Sequence, residues 1–296
     1  MTWNPDILIA PLAAGLPADP VLRLYLLTAI LMVGLCLGSF IAAATWRLPR
    51  RIGLTGRSAC PACGTRLGVR DLVPVLSWLA ARGRCRHCGT PVSPRYAVVE
   101  LATAALWVGC LLATGEIGRT LLLGSLGTLL LLAALIDLDH LYLPDGVTAL
   151  AGLLALVPPL TGQIGWGTVL AGAGLFAGVA LAVRAAVSWR TGREAMGLGD
   201  VKLFAVAGLW LGPAALAPFL LLAGIGGLAM AGATRLVGQG GPAGREEIGE
   251  GEGEEMGSDG DGVLPFGPAL ALALMVLLLL PPAGWGTGLD GFGWVG

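Results

Sequence analysis

From Val21 to Trp46 the chain runs 26 residues with a single charge, Arg23. About twenty consecutive apolar residues suffice to cross the hydrocarbon of a bilayer, and a lone segment there can satisfy its own N–H and C=O groups only as a helix. Seven more apolar runs follow, at about 98–114, 119–137, 146–161, 166–188, 201–212, 214–236 and 263–281. The expectation is an all-α polytopic membrane protein with about eight transmembrane helices. Only Gly212-Pro213 separates the sixth run from the seventh, so seven helices is the alternative. Composition agrees, because 12% of the residues are charged where an ordinary soluble domain has about a quarter. The 48 glycines suit close helix packing, as at Gly34 and Gly38 or Gly174 and Gly178.

The net charge of -1 hides an asymmetry. Between Arg47 and Ala97 stand ten Arg and one acid, Asp71, so this segment carries about +9. Arg47, Arg50 and Arg51 directly follow the first run, and the excess of basic residues on the cytoplasmic side of membrane proteins places this end inside and the N-terminus outside. Alternating from there, 137–145, 189–200 and 237–262 all fall on the cytoplasmic side. Sixteen of the eighteen Lys and Arg then lie in or beside cytoplasmic segments, the exceptions being Arg23 and Arg119. The expected division is 1–46, a tail and first membrane helix; 47–97, a small cytoplasmic domain; and 98–296, a membrane domain interrupted by an acidic, Gly-rich loop at 237–262. That loop has too little apolar material to bury and is expected to be disordered. Trp46, Trp166, Trp189 and Trp210 near run ends fit an interfacial aromatic belt, with ordinary packing as the alternative. No nucleic-acid partner is expected; membrane lipid is the surrounding solvent.

Ionisable groups at membrane depth are costly and mark function. Asp137 closes one apolar run and Asp200, in Gly197-Leu198-Gly199-Asp200, opens another, with 62 residues between them. That length lets the chain leave one membrane face and return to it. Two carboxylates that meet cannot both ionise easily and come to share a proton, so one can deprotonate a water while the other protonates a carbonyl or leaving amine. Either aspartate alone reads equally well as a polar helix end at the interface. A proton- or cation-coupled transporter is the alternative from a different class, although no internal repeat and no paired broken helices are visible. Lys202 either lowers a carboxylate pKa or snorkels to the interface, and the second is preferred.

Cys60-Pro-Ala-Cys63-Gly and Cys85-Arg-His-Cys88-Gly are two Cys-x-x-Cys knuckles with 21 residues between them. Disulfides do not persist in the cytosol, so four thiolates at this spacing predict one closed, structural zinc site holding together a segment with little apolar core. Two redox dithiols are the competing reading. His87 reads as a surface residue, and Cys36 and Cys110 as small packing residues within membrane helices.

These residues carry a resemblance. The chain is similar to the type IV prepilin peptidases through Gly38-Ser39-Phe40, Arg47-Leu48-Pro49, both knuckles, Asp71 to Trp78, Ser93-x-Arg95-Tyr96 and Val99-Glu100-Leu101. The similarity continues through Ile136-Asp137, Leu143-Pro144-Asp145, Gly197 to Leu203 and Pro265-Phe266-Gly267-Pro268. It implies an inner-membrane aspartyl endopeptidase of the Gly-x-Gly-Asp class. Such an enzyme removes the basic leader of prepilins or pseudopilins of type IV pili and type II secretion on the cytoplasmic side. The family pattern places the catalytic pair on Asp137 and Asp200, ahead of Asp139 and Asp145; Asp145 could instead cap the next helix. Many relatives with the cysteine domain also methylate the new N-terminal amine with S-adenosylmethionine, which adds a methyl donor as an implied cofactor with no recognisable binding motif. Ala42 stands where the family has an asparagine.

Overall fold

A computed structural model describes residues 17–192, 196–236 and 265–280, with the side chains of 234–236 left out. The expected N-terminal tail before residue 17 and the acidic loop at 237–262 lie outside the described residues. Helix α1 (Pro20–Arg47) starts where the Asp19 carboxylate accepts the Val21 N–H at 2.8 Å, with Pro20 supplying a preset φ at the first helical position. After it comes a segment built on the cysteine knuckles, with a short helix α2 (Leu76–Ala80). Then follow α3 (Arg95–Thr114), α4 (Ile117–His140), α5 (Asp145–Leu154), α6 (Val157–Leu160), α7 (Trp166–Thr191), α8 (Leu198–Leu211), α9 (Leu216–Leu236) and α10 (Gly267–Leu279). Among the described residues the only β pairing is two isolated bridges, Ala59 with Arg66 and Arg84 with Pro91.

Five stretches are long and apolar enough to cross a membrane: α1, α3, α4, α7, and Pro213–Ala233, which runs from the turn before α9 into that helix. The other three expected runs are helical but shorter. The run at 146–161 breaks into α5 and α6 around Ala155 and Leu156, just ahead of Pro158 and Pro159, which lack the N–H a continuous helix needs. Helix α8 has 14 residues and ends at Gly212, whose φ of 71° lies in the left-handed region ahead of Pro213. The sixth and seventh runs are therefore separate helices. Helix α10 has 13 residues.

Packing follows the small residues, though not all of those expected. A Cβ on Gly34 would stand 2.6 Å from the Ala104 Cα, and one on Gly38 2.6 Å from the Glu100 Cα, so α1 and α3 touch backbone to backbone. Gly174 and Gly178 have open space around them; α7 instead meets α8 at Gly172 and Gly208, where a Cβ on either would strike the other's backbone. The interior is dominated by Trp210, Phe176 and Phe219, all at most 2% exposed. Phe176 and Phe204 each meet Phe219 with ring centroids 5.3 Å apart, the first tilted and the second edge to face. Trp210 does not belong to an aromatic belt: its indole N–H donates to the Ala151 carbonyl at 3.0 Å in the core. Trp46, Trp166 and Trp189 are exposed. Cys110 is fully buried, as a packing residue should be, whereas Cys36 is exposed on α1. Helix α10 lies against α4, α8 and α9.

Candidate active site and metal centre

Asp137 stands in the last turn of α4, which runs on to His140 and ends when Leu141 turns left-handed at φ 54°. The Asp137 side chain is buried at 5% exposure. The backbone N–H of Gly267 donates to its Oδ2 at 2.9 Å. Gly267 is the first residue of α10, whose opening N–H groups have no partner inside the helix and carry the positive end of its dipole, so this helix start is suited to a carboxylate. A Cβ on Gly267 would lie 2.7 Å from Oδ2, closer than any real contact allows. Pro265-Phe266-Gly267-Pro268 thus has a role the residue pattern did not announce. Phe266 packs where a Cβ on Gly227 of α9 would go, Pro268 starts the helix, and Gly267 reaches the acid.

Asp200 is the third residue of α8, half-buried, with Gly197 at the N-cap. The Gly197 N–H hydrogen-bonds to its carboxylate, and Asp137 lies close enough for the two charges to interact. The two aspartates picked out in the sequence thus lie within electrostatic range of each other. Gly199 permits the approach: a Cβ there would be 3.0 Å from the Cβ of Leu143, in the turn after α4. Upstream, Arg184 of α7 donates to the Met196 carbonyl just before Gly197.

The neighbouring acids are engaged elsewhere. Asp139 takes both ends of the Arg95 guanidinium, at 2.9 and 2.5 Å. Asp145 does not cap α5, because Pro144 holds the N-cap position; its carboxylate pairs with Lys202 at 2.5 Å. Lys202 therefore neither snorkels alone nor pairs with Asp200.

The four cysteines converge. Their Sγ atoms all lie within 4.8 Å of one another, and those of Cys60 and Cys88 are 3.9 Å apart. A tetrahedral zinc with Zn–S bonds of about 2.3 Å needs sulfurs about 3.8 Å apart, so the set fits the metal and is one cluster across both knuckles rather than two dithiols. The knuckles are built alike. Cys60 N–H donates to Thr65 and Gly64 N–H back to Cys60, and Cys85, Thr90 and Gly89 repeat the pattern. Gly64 and Gly89 have φ of 68° and 74°, a conformation that favours glycine. Thr65 and Thr90 place hydroxyls 3.3 and 3.2 Å from the Cys63 and Cys88 sulfurs. Those hydroxyls, helped by the backbone of the same threonines, hold the Cys63 thiol below its ordinary pKa and bring that of Cys88 down to about 6. Both shifts favour the thiolate a metal requires. The repeated Cys-Gly-Thr was the readable sign of these two threonines. His87 is exposed and outside the cluster.

The segment is fastened to the helices at Glu100, a 7%-exposed carboxylate of α3 that accepts the Val75 N–H at 2.7 Å. Arg47 gathers the carbonyls of Leu54 and Gly56 at 3.0 and 2.8 Å. Inside the segment, Trp78 donates its indole N–H to the Val92 carbonyl at 3.0 Å.

Comparison with known proteins places these features in context. Residues 32–114 match the family model for the bacterial peptidase A24 N-terminal domain, and residues 124–232 match the type IV leader peptidase family. A type 4 prepilin-like proteins leader peptide-processing enzyme from Escherichia coli is 35% identical over 272 residues, which cover 83% of this chain and 91% of the relative. Prepilin leader peptidase/N-methyltransferases from Burkholderia pseudomallei and Myxococcus xanthus are 39% and 40% identical; the matches cover 62% and 67% of this chain and 60% of each relative. No solved structure matches.

Proposed function

The chain belongs to the type IV leader peptidase family, and on that premise we propose that it cleaves the leader from prepilins or pseudopilins by aspartyl catalysis at the cytoplasmic edge of the inner membrane. The observation that carries this reading is that Asp137 and Asp200, on two helix ends, lie within electrostatic range of each other, while Asp139 and Asp145 are each taken by a cation. In the reaction the two carboxylates come together on the attacking water and share one proton. The ionised member takes a proton from water, and the protonated member supplies one to the scissile carbonyl and then to the departing amine, so that no metal enters the hydrolysis. Gly267 N–H fixes Asp137 through Oδ2, and Oδ1 is the oxygen assigned to the water. The peptidase names of relatives at 35–40% identity support hydrolysis over ion-coupled transport. Zinc on Cys60, Cys63, Cys85 and Cys88 has a structural part and stays outside the reaction.

Asp137→Asn and Asp200→Asn each abolish leader removal, read by mass spectrometry of a prepilin N-terminus, with zinc content unchanged. Processing retained in either variant overturns the assignment. Methylation of the freed amine is the second activity we propose, with S-adenosylmethionine supplying the methyl group. We place this donor in a cavity of about 340 Å³ beside the end of α4. Trp46 and Tyr96 offer faces for a base, and Arg50, which stacks on Trp46 at 4.8 Å, offers a cation for a carboxylate. Arg50→Ala is expected to weaken equilibrium binding of the donor and leave leader removal intact.

A further inference from the structure

We infer that Asp145 and Lys202 form a positioning clamp, holding the head of α8, and Asp200 with it, against the turn that follows Asp137. The inference rests on the reading of Asp137 and Asp200 as the catalytic pair. Those two residues belong to helices far apart in the chain, so something must keep the helix ends in register. Three contacts are available. Gly199 abuts Leu143, Arg184 holds the Met196 carbonyl, and Lys202 Nζ reaches Asp145 Oδ1 at 2.5 Å across a separation of 57 residues.

The turn itself is a stiff reference. Leu141 is in the left-handed conformation, Leu143 is buried at 7% exposure, and Pro144 has its φ set by its ring, so Asp145 is rigidly related to Asp137. Lys202 is two residues beyond Asp200, about 200° further round the helix, so its side chain leaves α8 on a different side. Lys202 and Asp145 are 50% and 77% exposed. A pair so open to water adds little to global stability, and what it sets is the relative placement of two surface segments. Small errors in placement are what catalysis tolerates least.

The test uses the full-length enzyme with a prepilin substrate. Lys202→Met and Asp145→Asn are each expected to lower kcat about fivefold, the reach of one exposed pair, with KM, Tm and the position of the pH–rate profile unchanged. The double variant is expected to lose the same fivefold rather than the product of the two. The exchange of Lys202→Asp with Asp145→Lys is expected to recover activity to within about twofold, since an exposed pair tolerates reversal. Backbone hydrogen exchange at 201–205, the first amides of α8 bonded within the helix, should quicken equally in both single variants and slow again in the exchanged one, whatever the chemistry. Additive losses, unaffected single variants, an exchanged variant that stays slow, or a loss in Lys202→Met alone would each overturn the clamp. Cleavage surviving in Asp200→Asn would instead remove the catalytic reading, and the exchange measurement would still decide the clamp.

Discussion

Gly267 acts on Asp137 without a side chain, through one N–H at 2.9 Å, in a space where a Cβ would stand 2.7 Å from the carboxylate. Gly267→Ala must push either α10 or the acid aside. The expected outcome is a fall in kcat of about 100-fold, the scale attached to a misplacement of about 1 Å, with a stability loss of about 1–3 kcal/mol from overpacking. Wild-type turnover in a folded Gly267→Ala enzyme would show that this bond does not orient the acid. Glu100 poses a different case, since its carboxylate is buried and answers the N–H of Val75, a β-branched residue held at φ 59°. Glu100→Ala leaves that N–H without its partner at a cost of about 1–3 kcal/mol, and limited proteolysis should then cut faster within residues 72–80. The four-cysteine cluster was legible in the sequence because a repeated Cys-x-x-Cys carries its chemistry in its own side chains. A charge at the end of an apolar run only made Asp137 and Asp200 candidates, and the family pattern ranked Asp137 above Asp139 and Asp145. Gly267 was not legible, because its contribution is a backbone bond made across 130 residues. Nor was the partner of Lys202, since periodicity says nothing about which distant acid a lysine meets.

Helix length is where local sequence pattern and the packed molecule part company. Apolar runs show where helices lie, yet Pro158-Pro159 and Gly212-Pro213 decide where they stop, and the short α8 puts Asp200 at a helix head. The pairing of helices was harder to read. Gly-x-x-x-Gly spacing is met at Gly34 and Gly38 but not at Gly174 and Gly178, because with 48 glycines the spacing recurs by chance and only the facing helix distinguishes the two cases. Trp210 fits an aromatic belt by its place at a run end, but it takes the other reading, ordinary packing, with its indole satisfied in the core by Ala151. The contact of α7 and α8 at Gly172 and Gly208 supports a direct prediction. Gly208→Leu drives a side chain into the α7 backbone, and a reduction in Tm together with loss of cleavage is expected, the second because α8 carries Asp200. The knuckles behave as a separate unit of risk. Cys88→Ser is expected to release zinc, measured by mass spectrometry of the metal, and to open residues 53–92 to protease, since that stretch has one buried apolar side chain, that of Cys60. Zinc retained at full stoichiometry in Cys88→Ser would mean that the metal is held by another set.

At the scale of the whole molecule, the reaction has a side only if the helices do. The C-terminal ends of α1, α4 and α7 and the N-terminal ends of α8 and α10 gather on the face that carries the cysteine segment and its arginines, and both aspartates sit at helix ends on that side. Basic residues are retained on the cytoplasmic side of a membrane, and on that ground we propose that this face lies in the cytosol. The obvious objection is Arg119, at the opposite end, where a cation should be disfavoured. That residue pairs with Glu116 at 2.8 Å one turn away, so its charge is locally offset and does not argue for the reverse orientation. The assignment predicts that a phosphatase reporter, active only outside the cytosol, is active when fused after Gly115 and silent when fused after Gly192. It also predicts that trypsin added to inverted membrane vesicles cuts among Arg50, Arg51 and Arg57, whereas intact spheroplasts protect the same bonds. The two readouts are independent, since one reports on helix hairpins and the other on the cysteine segment. The reverse result in both would leave the carboxylates facing away from newly made, still tethered leaders, and a peptidase acting from the cytosol would then be impossible whatever the chemistry of Asp137 and Asp200.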